Sequence, residues 1–399
     1  MKALHFGAGN IGKGFIGYLL NKTGYEVCFV DVNEQMINNF NENHSYVFEV
    51  LDDCHTLKKV SPVSGINSIT QEKKVLDAIV NADIITTSVG INNLSKIANT
   101  LSKGLLMRAK KNKKKIDVIA NENAINASST LKWEIGKYIS TNEMKEISSF
   151  VGFPNSAIDR LALSRQNGAE EITLVEPFYE WIINKSEMVN KDLPTIKNAI
   201  YVDDLKPYIE RKLYIVNMGH ATIAYISFLA GKSTIQSALE NSVIKDFVRK
   251  ILQEASHYII QSHDFSADDM SGFIDATLKR FQNEKVSDDI LRVGRSPIRK
   301  LSYDERLIKP TKELFDLGFP IEYLSIAVAS AFLFDNAEDE ESVLLKNYIH
   351  ENGIEQAILK FTQIDNEVIK EKIMQNYKRF KGIGKDDVIV QLKNYERGI

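Results

Sequence analysis

The chain opens with MKALHFGAGNIGKGFIGYLL, residues 1–20. Residues Ala3 to Phe6 are apolar and strand-like. Gly7-Ala8-Gly9-Asn10-Ile11-Gly12 then gives the spacing G-x-G-x-x-G where an apolar helical stretch begins. A strand, a glycine turn and a helix in this order are typical of a βαβ unit that binds a dinucleotide. The stretch therefore predicts a doubly wound, mainly parallel α/β sheet in the first half of the chain.

The six residues from Gly7 to Gly12 form the candidate cofactor-binding turn. Gly7 permits the tight turn, Gly9 lets a pyrophosphate approach the backbone, and Gly12 lets the helix pack close to the strand. Free N–H groups and the dipole at the helix N-terminus favour an anion at this position.

Asp31 lies 19 residues after Gly12, at the end of a second predicted strand, Glu26 to Val32. A carboxylate there accepts hydrogen bonds from the ribose hydroxyls and repels a 2′-phosphate. The spacing therefore predicts NAD as the cofactor rather than NADP. The alternative is a glycine-rich turn with an unrelated acidic residue downstream.

Strand and helix patterns alternate through the first half of the chain, and nearly all later patterns are helical. We predict a Rossmann-type NAD-binding domain over residues 1–195 and a mostly helical substrate-binding and catalytic domain over residues 196–399. The predicted strands include Ala3–Phe6, Glu26–Val32, Asp83–Val89, Ile116–Ala120, Ile147–Phe153 and a segment over Ile172–Ile183, with a hairpin over Tyr46–Val63.

Composition excludes several classes of protein. The 399 residues include 50 Lys and Arg against 53 Asp and Glu, so a net charge of −3 provides no global attraction for nucleic acid or an anionic membrane. The basic stretch Arg108 to Lys115 is expected to be an exposed helix end. The longest apolar run, Leu324 to Phe334, is too short to span a bilayer.

Cysteine and histidine usage narrows the class further. Two cysteines cannot build a disulfide framework or a Cys-rich zinc site, and they favour a reducing, cytoplasmic location. The seven histidines form no H-x-x-x-H pair, so we predict no metal site.

The stretch Lys212-Leu-Tyr-Ile-Val-Asn217-Met-Gly-His220 places three polar side chains on an apolar helix, where they are costly unless partnered. In a regular α-helix they span an arc of about 140°, with Lys212 and His220 about 12 Å apart along the axis. Spacing alone is equally consistent with a catalytic set and with an amphipathic helix that has a polar edge.

Two further asparagines follow predicted strands, at the edge where doubly wound sheets bind ligands. Asn155 follows Pro154, and its alternative is a turn beside an Asp159–Arg160 surface pair. Asn123 ends the block Asn121-Glu122-Asn123 and could line a nicotinamide pocket or cap the next helix.

Taken together, these motifs resemble the mannitol-1-phosphate 5-dehydrogenases, a branch of the polyol-specific long-chain dehydrogenase/reductase family. The resemblance covers nearly the whole chain. It rests on MKALHFGAGNIGKGFIG at 1–17, TTSVG at 86–90, NEN at 121–123, FPNSAIDR at 153–160, VEPFYEW at 175–181, KLYIVNMGHATIAY at 212–225 and VGRSPIRKLSYDERLIKP at 293–310.

The resemblance implies a metal-independent, NAD-dependent enzyme that interconverts D-mannitol 1-phosphate and D-fructose 6-phosphate. It assigns Lys212 as general acid/base and Asn155 and Asn217 as holders of the reacting oxygen. It assigns His220 as a ligand of substrate hydroxyls that also helps to orient the lysine. One departure is that Leu161-Ala162-Leu163 lacks the proline usual after the Asp-Arg pair, which affects the expected loop shape.

A basic stretch supplies candidates for the phosphate. Residues 292–309 carry six Lys and Arg against two acids, and Arg295, Arg299 and Lys300 are the candidate phosphate ligands. The alternative is a solvated loop with ion pairs. Two other functions stay open: a sister enzyme acting on a polyol or hexuronate such as fructuronate or tagaturonate, and a non-catalytic NAD-binding regulator.

Overall fold

The structure is a computed structural model that describes residues 1–167 and 170–397. The chain divides into two compact units, Met1–Tyr208 and Ile209–Ile399. The sequence boundary at residue 195 lies shortly before this division.

The first unit holds the strands. The described residues contain thirteen of them: β1 Lys2–Phe6, β2 Glu26–Asp31, β3 Tyr46–Val50, β4 Leu57–Val60, β5 Val63–Asn67, β6 Ile84–Thr87, β7 Ile116–Ala120, β8 Val151–Gly152, β9 Ser156–Asp159, β10 Ala162–Asn167, β11 Glu170–Val175, β12 Glu180–Asn184 and β13 Ile200–Val202.

The central sheet has six strands in the order β5-β2-β1-β6-β7-β8. Every pairing in it is parallel. Parallel strands need helical crossovers that cover both faces, which explains why β6 and β7 are buried at every position. Counted within the sheet, the order is 3-2-1-4-5-6, so the predicted doubly wound fold is confirmed.

Two smaller sheets use the remaining strands, β3 and β4 from between β2 and β5, and β9 to β13 from after β8. The predicted hairpin is confirmed, since β3 pairs antiparallel with β4. β3 also pairs with β11, in a four-stranded sheet of order β10-β11-β3-β4, and β13-β12-β9 forms a third sheet.

Two strand predictions were wrong in detail. Residues 141–148 are helical, so the strand expected over Ile147–Phe153 is reduced to Val151–Gly152. The segment Ile172–Ile183 is not one strand. It contains the end of β11 and the beginning of β12, which belong to different sheets. Apolar runs as short as these do not distinguish a strand from a buried helix turn.

Helices occur in both units, and the second unit is mostly helical. Those assigned in the described residues are α1 Tyr18–Thr23, α2 Glu34–Asn43, α3 Glu72–Asn81, α4 Leu94–Lys111, α5 Ala127–Gly136, α6 Thr141–Ser148, α7 Lys206–Arg211, α8 Met218–Leu229, α9 Ile235–Leu239, α10 Ser242–Ser262, α11 Ala267–Phe281, α12 Ile290–Gly294, α13 Pro297–Lys300, α14 Ile308–Asp316, α15 Glu322–Phe332, α16 Glu340–Thr362, α17 Glu367–Phe380 and α18 Lys385–Arg397.

The core of the second unit forms around α8, α10 and α15, whose apolar side chains belong to one buried cluster. Across residues 1–167 and 170–397, no helix is both long enough and apolar enough to cross a membrane.

Two helical segments contain π-helical turns, Gly12–Gly17 directly before α1 and Lys212–Asn217 between α7 and α8. π turns are rare and frequently occur at functional sites. Here one begins at Gly12, the last residue of the predicted cofactor turn, and the other contains the predicted catalytic residues Lys212 and Asn217.

Candidate functional site

The glycine turn after β1 has the shape that a pyrophosphate site requires. Gly7 has a φ of +97°, which favours glycine, and a Cβ atom at Gly12 would lie 2.1 Å from the Gly7 carbonyl oxygen. Gly9 is exposed, with no atom within 4 Å of where its Cβ would be. The turn therefore leaves open space above its backbone, and these residues fit a dinucleotide.

Asp31 ends β2 beside this turn. Its carboxylate accepts hydrogen bonds from the N–H groups of Ala8, at 2.7 Å, and Asn33, at 2.9 Å. Ala8 therefore holds the acidic residue, and its N–H is not available to a phosphate. Each carboxylate oxygen has a second lone pair, so Asp31 can still accept ribose hydroxyls.

The remaining residues of the turn have structural partners. Asn10 accepts a hydrogen bond of 2.9 Å from the Thr173 hydroxyl, and Ile11 is half-buried against apolar residues of the sheet. They shape the turn and connect it to β11.

Two buried basic side chains behind the turn were not predicted. The His5 ring contacts the hydroxyls of Thr86 at 2.7 Å and Ser88 at 2.9 Å, and burial lowers the pKa of His5 to about 3. The Lys13 side chain is buried, and burial lowers its pKa against the opposing charges of Glu171 and Asp31. In the sequence His5 lies within a predicted apolar strand. Its polar side chain is the one signal that could have identified it as a buried hydrogen-bonding residue.

Glu122 joins the loops that follow β6 and β7. It is buried and accepts hydrogen bonds from the Thr87 hydroxyl and from the N–H groups of Val89 and Gly90, at 2.7–3.0 Å. Asn123 beside it is exposed. The next helix begins at Ala127 after Asn126, so Asn123 is not the helix cap that the sequence left open.

Asn155 lies in the first unit and is buried in a hydrogen-bond network. Its side-chain amide donates to the Ser129 hydroxyl at 2.8 Å and to the Glu187 carboxylate at 3.1 Å, and its oxygen accepts from the Ser129 N–H. A substrate oxygen would have to displace one of these acceptors to receive an N–H from Asn155.

The alternative interpretation of Asp159 and Arg160 as a surface pair is wrong, because both side chains are buried. Arg160 donates to the main-chain oxygens of Gly14 and Glu176. It therefore connects the helical segment after the glycine turn to the residue that follows β11.

In the second unit, the segment with Lys212 and His220 is not a regular α-helix. The Met218 N–H bonds to the Leu213 carbonyl, five residues back. An i→i+5 turn advances less per residue around the axis than an α-helix, so Lys212 and Asn217 lie closer to one side of the helix than regular α-helical geometry predicts. His220 is three residues further along α8, on the same face. The arc of 140° expected for a regular helix is therefore too wide.

Asn217 and His220 line a pocket in the second unit together with the basic stretch. The described lining comprises Asn217, His220, Ala221, Arg292, Val293, Arg295, Arg299, Lys300 and Arg306. The fold thus brings two predicted catalytic residues together with all three candidate phosphate ligands. Lys212 lies one π turn before Asn217 and is half-buried.

The cations of this pocket differ in their partners. Glu305 pairs with Arg299 at 3.3 Å and with Arg306 at 3.0 Å, and Arg292 pairs with Asp288. Arg295 is exposed and has no carboxylate partner among the described residues. It is therefore the arginine most available to an anion.

Lys300 is buried, unlike the arginines of the pocket. Its ammonium donates to the carbonyl oxygens of Val293, at 2.5 Å, and Arg295, at 2.6 Å. Burial lowers the pKa of Lys300 to about 7, and the charges of Arg306 and Arg299 add to the effect. The third N–H of the protonated form remains for a ligand.

His220 has a partner that the sequence did not reveal. Its Nε2 lies 2.7 Å from a carboxylate oxygen of Asp288, and its ring stacks on Phe281 with centroids 4.9 Å apart. Asp288 is 68 positions away from His220, so no local motif connects them. In the parts of the chain that the structure describes, no group of three or more His, Cys, Asp or Glu side chains is arranged to hold a metal ion.

Two family models match the chain. The Rossmann domain of mannitol dehydrogenases matches residues 1–197, and their C-terminal domain matches residues 204–395. The chain belongs to the mannitol dehydrogenase family. Two curated members are mannitol-1-phosphate 5-dehydrogenases. The one from Bacillus licheniformis is 43% identical over 353 residues, covering 88% of this chain and 93% of that relative. The one from Halalkalibacterium halodurans is 43% identical over 363 residues, covering 91% and 96%.

Two solved structures share the fold of this mannitol dehydrogenase family member. A D-sorbitol dehydrogenase in substrate-free form aligns with a TM-score of 0.82, covering 98% of this chain and 95% of that one, at 13% identity. The Pseudomonas fluorescens mannitol 2-dehydrogenase, in a ternary complex with NAD and D-mannitol, aligns with a TM-score of 0.74, covering 100% and 95%, also at 13% identity.

Proposed function

We propose that the chain is an NAD-dependent mannitol-1-phosphate 5-dehydrogenase, interconverting D-mannitol 1-phosphate and D-fructose 6-phosphate. The observation that carries the proposal is the pocket of the second unit, where Asn217 and His220 lie beside the cations Arg295, Arg299 and Lys300. Relatives of that name at 43% identity over most of the chain support it.

The first unit would hold the cofactor. The open backbone at Gly9 would receive the pyrophosphate, and Asp31 would accept the ribose hydroxyls and exclude a 2′-phosphate. When bound, NAD supplies a hydride acceptor in one direction and NADH a hydride donor in the other.

Lys212 acts as general base and general acid in this proposal. In the oxidative direction its neutral amine takes the proton of the substrate hydroxyl, and in the reductive direction its ammonium returns one to the carbonyl oxygen. Asn217, on the same side of the π turn, donates a hydrogen bond to that oxygen and stabilises its developing charge. This mechanism needs no metal ion.

Asn155 has a different role in this proposal from the one that the resemblance implies. Because both of its N–H groups have partners in the first unit, it holds the loop near Ser129 and Glu187. We therefore propose Asn217 as the principal donor to the reacting oxygen.

The basic residues select a phosphorylated substrate. Arg295 has no carboxylate partner among the described residues, and arginine binds phosphate through two parallel hydrogen bonds. Lys300 adds a charge inside the pocket when it is protonated. An unphosphorylated polyol would leave this charge uncompensated, and a hexuronate carboxylate, with one negative charge and two oxygens, would compensate less of it than a phosphate.

The test compares NADH oxidation with fructose 6-phosphate, fructose, fructuronate and tagaturonate, before and after exhaustive chelation. We expect fructose 6-phosphate to be reduced far more efficiently than the others, with or without chelator. Equal or better use of fructose or a hexuronate would identify a sister enzyme. NADH binding without turnover of any substrate would identify a regulator.

A further inference from the structure

A buried carboxylate lies behind His220 in the second unit. One oxygen of Asp288 is 2.7 Å from the His220 Nε2, and the other accepts from the Arg292 guanidinium. Asp288 is 4% exposed, and its N–H donates to the Gln236 side chain at 3.0 Å. A carboxylate this deeply buried is tolerated only because both of its oxygens are paired.

The two partners keep the carboxylate ionised. Burial tends to raise the pKa of Asp288, but the hydrogen bonds and charges of His220 and Arg292 outweigh it, and the pKa is lowered. An ionised carboxylate can only accept hydrogen bonds. The hydrogen between the two groups must therefore reside on the Nε2 of His220.

The ring of His220 is fixed as well as its tautomer. It stacks on Phe281 with an interplanar angle of 14°, and His220 lines the same pocket as Asn217. In a neutral imidazole with hydrogen on Nε2, Nδ1 carries a lone pair. Among the described residues, the Nδ1 has no hydrogen-bond partner.

We propose that Asp288 is a positioning residue that holds His220 in the Nε2–H tautomer, so that Nδ1 accepts a hydrogen bond from a substrate hydroxyl. The identity of that hydroxyl, on a polyol phosphate, rests on the proposed function, but the tautomer does not. Asp288 also holds Arg292, so one carboxylate sets both the hydroxyl acceptor and one cation of the pocket.

The substitution Asp288→Asn is expected to move the hydrogen of the His220 ring from Nε2 to Nδ1. The amide oxygen of the variant is the natural acceptor for Arg292, which leaves the amide N–H₂ facing His220. The Nε2 must then accept, and the hydrogen moves to Nδ1. The pocket would present a donor where the substrate hydroxyl needs an acceptor for its hydrogen.

The experiment is ¹⁵N NMR of imidazole-labelled protein at pH 8.5, where ordinary imidazoles are neutral. Comparison with His220→Asn assigns the His220 signals among the seven histidines. We expect a protonated Nε2 and a lone pair on Nδ1 in the wild type, and the reverse in Asp288→Asn. The kcat/KM for fructose 6-phosphate should fall by at least about tenfold in the variant, while NADH binding is unchanged.

The matched control is Glu49→Gln in the first unit. Glu49 also pairs with a histidine and an arginine, His55 at 2.6 Å and Arg165 at 2.7 Å, outside the proposed site. This variant should alter the His55 signals only and leave kcat/KM unchanged.

An Nδ1–H tautomer in the wild type, or the same tautomer in both proteins, would overturn the proposal. If the tautomer reverses as expected but the wild type does not reduce fructose 6-phosphate, the proposed function fails and the role of Asp288 stands. Far-UV circular dichroism of the variant checks that the fold is intact.

Discussion

The Asp31 carboxylate accepts a hydrogen bond of 2.7 Å from the N–H of Ala8, in the middle of the glycine turn. The residue proposed to select the cofactor and the turn proposed to bind it are therefore one hydrogen-bonded unit. Moving the carboxylate would disturb both.

We expect Asp31→Ser to lower kcat/KM with NAD by about tenfold or more and to reduce the difference between the kcat/KM values with NAD and NADP. Serine keeps a short polar side chain but removes the negative charge that would repel a 2′-phosphate. The measurement is kcat/KM for mannitol 1-phosphate with each cofactor. A wild type that uses both cofactors equally would show that Asp31 does not face the ribose.

Arg295→Ala should raise the KM for fructose 6-phosphate by about 10- to 100-fold, the typical value of a hydrogen-bonded charge pair. The KM for fructose, which should be a much poorer substrate, should hardly change, because fructose carries no phosphate for Arg295 to bind. The exposed arginine Arg379, on α17, provides the control variant Arg379→Ala. Equal losses with both sugars would place Arg295 outside the phosphate site.

Lys300 gives the proposed phosphate site a pH dependence. Burial lowers the pKa of Lys300 to about 7, so above pH 7 binding of a phosphate must be accompanied by uptake of a proton. The phosphate itself is fully ionised there, since its second pKa is about 6. Affinity should therefore fall between pH 7 and 9, by at most about tenfold per pH unit.

Titration calorimetry of fructose 6-phosphate without cofactor measures this effect, and buffers of different ionisation enthalpy report the proton uptake. Lys300→Met should bind weakly at every pH and take up no proton. A wild-type affinity that is flat from pH 7 to 9 would contradict the role of Lys300.

The sequence predicted the features that depend on neighbours in the chain. The glycine turn, Asp31 and the parallel sheet follow from local spacing and periodicity, and all of them are in the structure. Asp288 could not be predicted, because its contact with His220 is made only when α12 packs against α8. The π turn at Lys212 was missed because helix periodicity assumes a regular α-helix.

Burial was the other property that local patterns failed to give. Arg108, expected at an exposed helix end, is buried and donates to the carbonyls of Ile79, Val80 and Ala82. The lysines that follow it are exposed, as expected. Charge alone does not say whether an arginine is solvated or satisfies carbonyl groups in the interior.

The free energy of unfolding of the second unit should fall as the pH rises from about 4.5 to 7. Burial, and the nearby Glu322, raise the pKa of Glu254 to about 7, although the N–H groups of Leu324 and Tyr323 oppose the shift. A raised folded-state pKa contributes stability below the unfolded value, 4.5, that is lost as pH rises to 7. The size of the loss is about 3 kcal/mol.

Glu254→Gln removes this titration and keeps an acceptor oxygen for the shorter of the two hydrogen bonds, the one from the Leu324 N–H at 2.6 Å, at the cost of the longer one from Tyr323. It should be more stable than the wild type at pH 8.5 and similar at pH 5, with exposed Glu371→Gln as the control. Urea unfolding followed by far-UV circular dichroism reports the helical second unit. A variant less stable than the wild type at pH 8.5 would mean that ionised Glu254 stabilises α15.

The central claim, that Lys212 transfers the proton in a fructose 6-phosphate reductase, is tested most directly by the single-turnover rate of Lys212→Ala with saturating NADH and fructose 6-phosphate. Lys206→Ala, an exposed lysine six residues earlier, is the matched control. We predict a loss of about 10²–10⁴-fold or more for Lys212→Ala, with NADH affinity unchanged and Lys206→Ala fully active. A Lys212→Ala enzyme that keeps half of the wild-type rate would contradict the account.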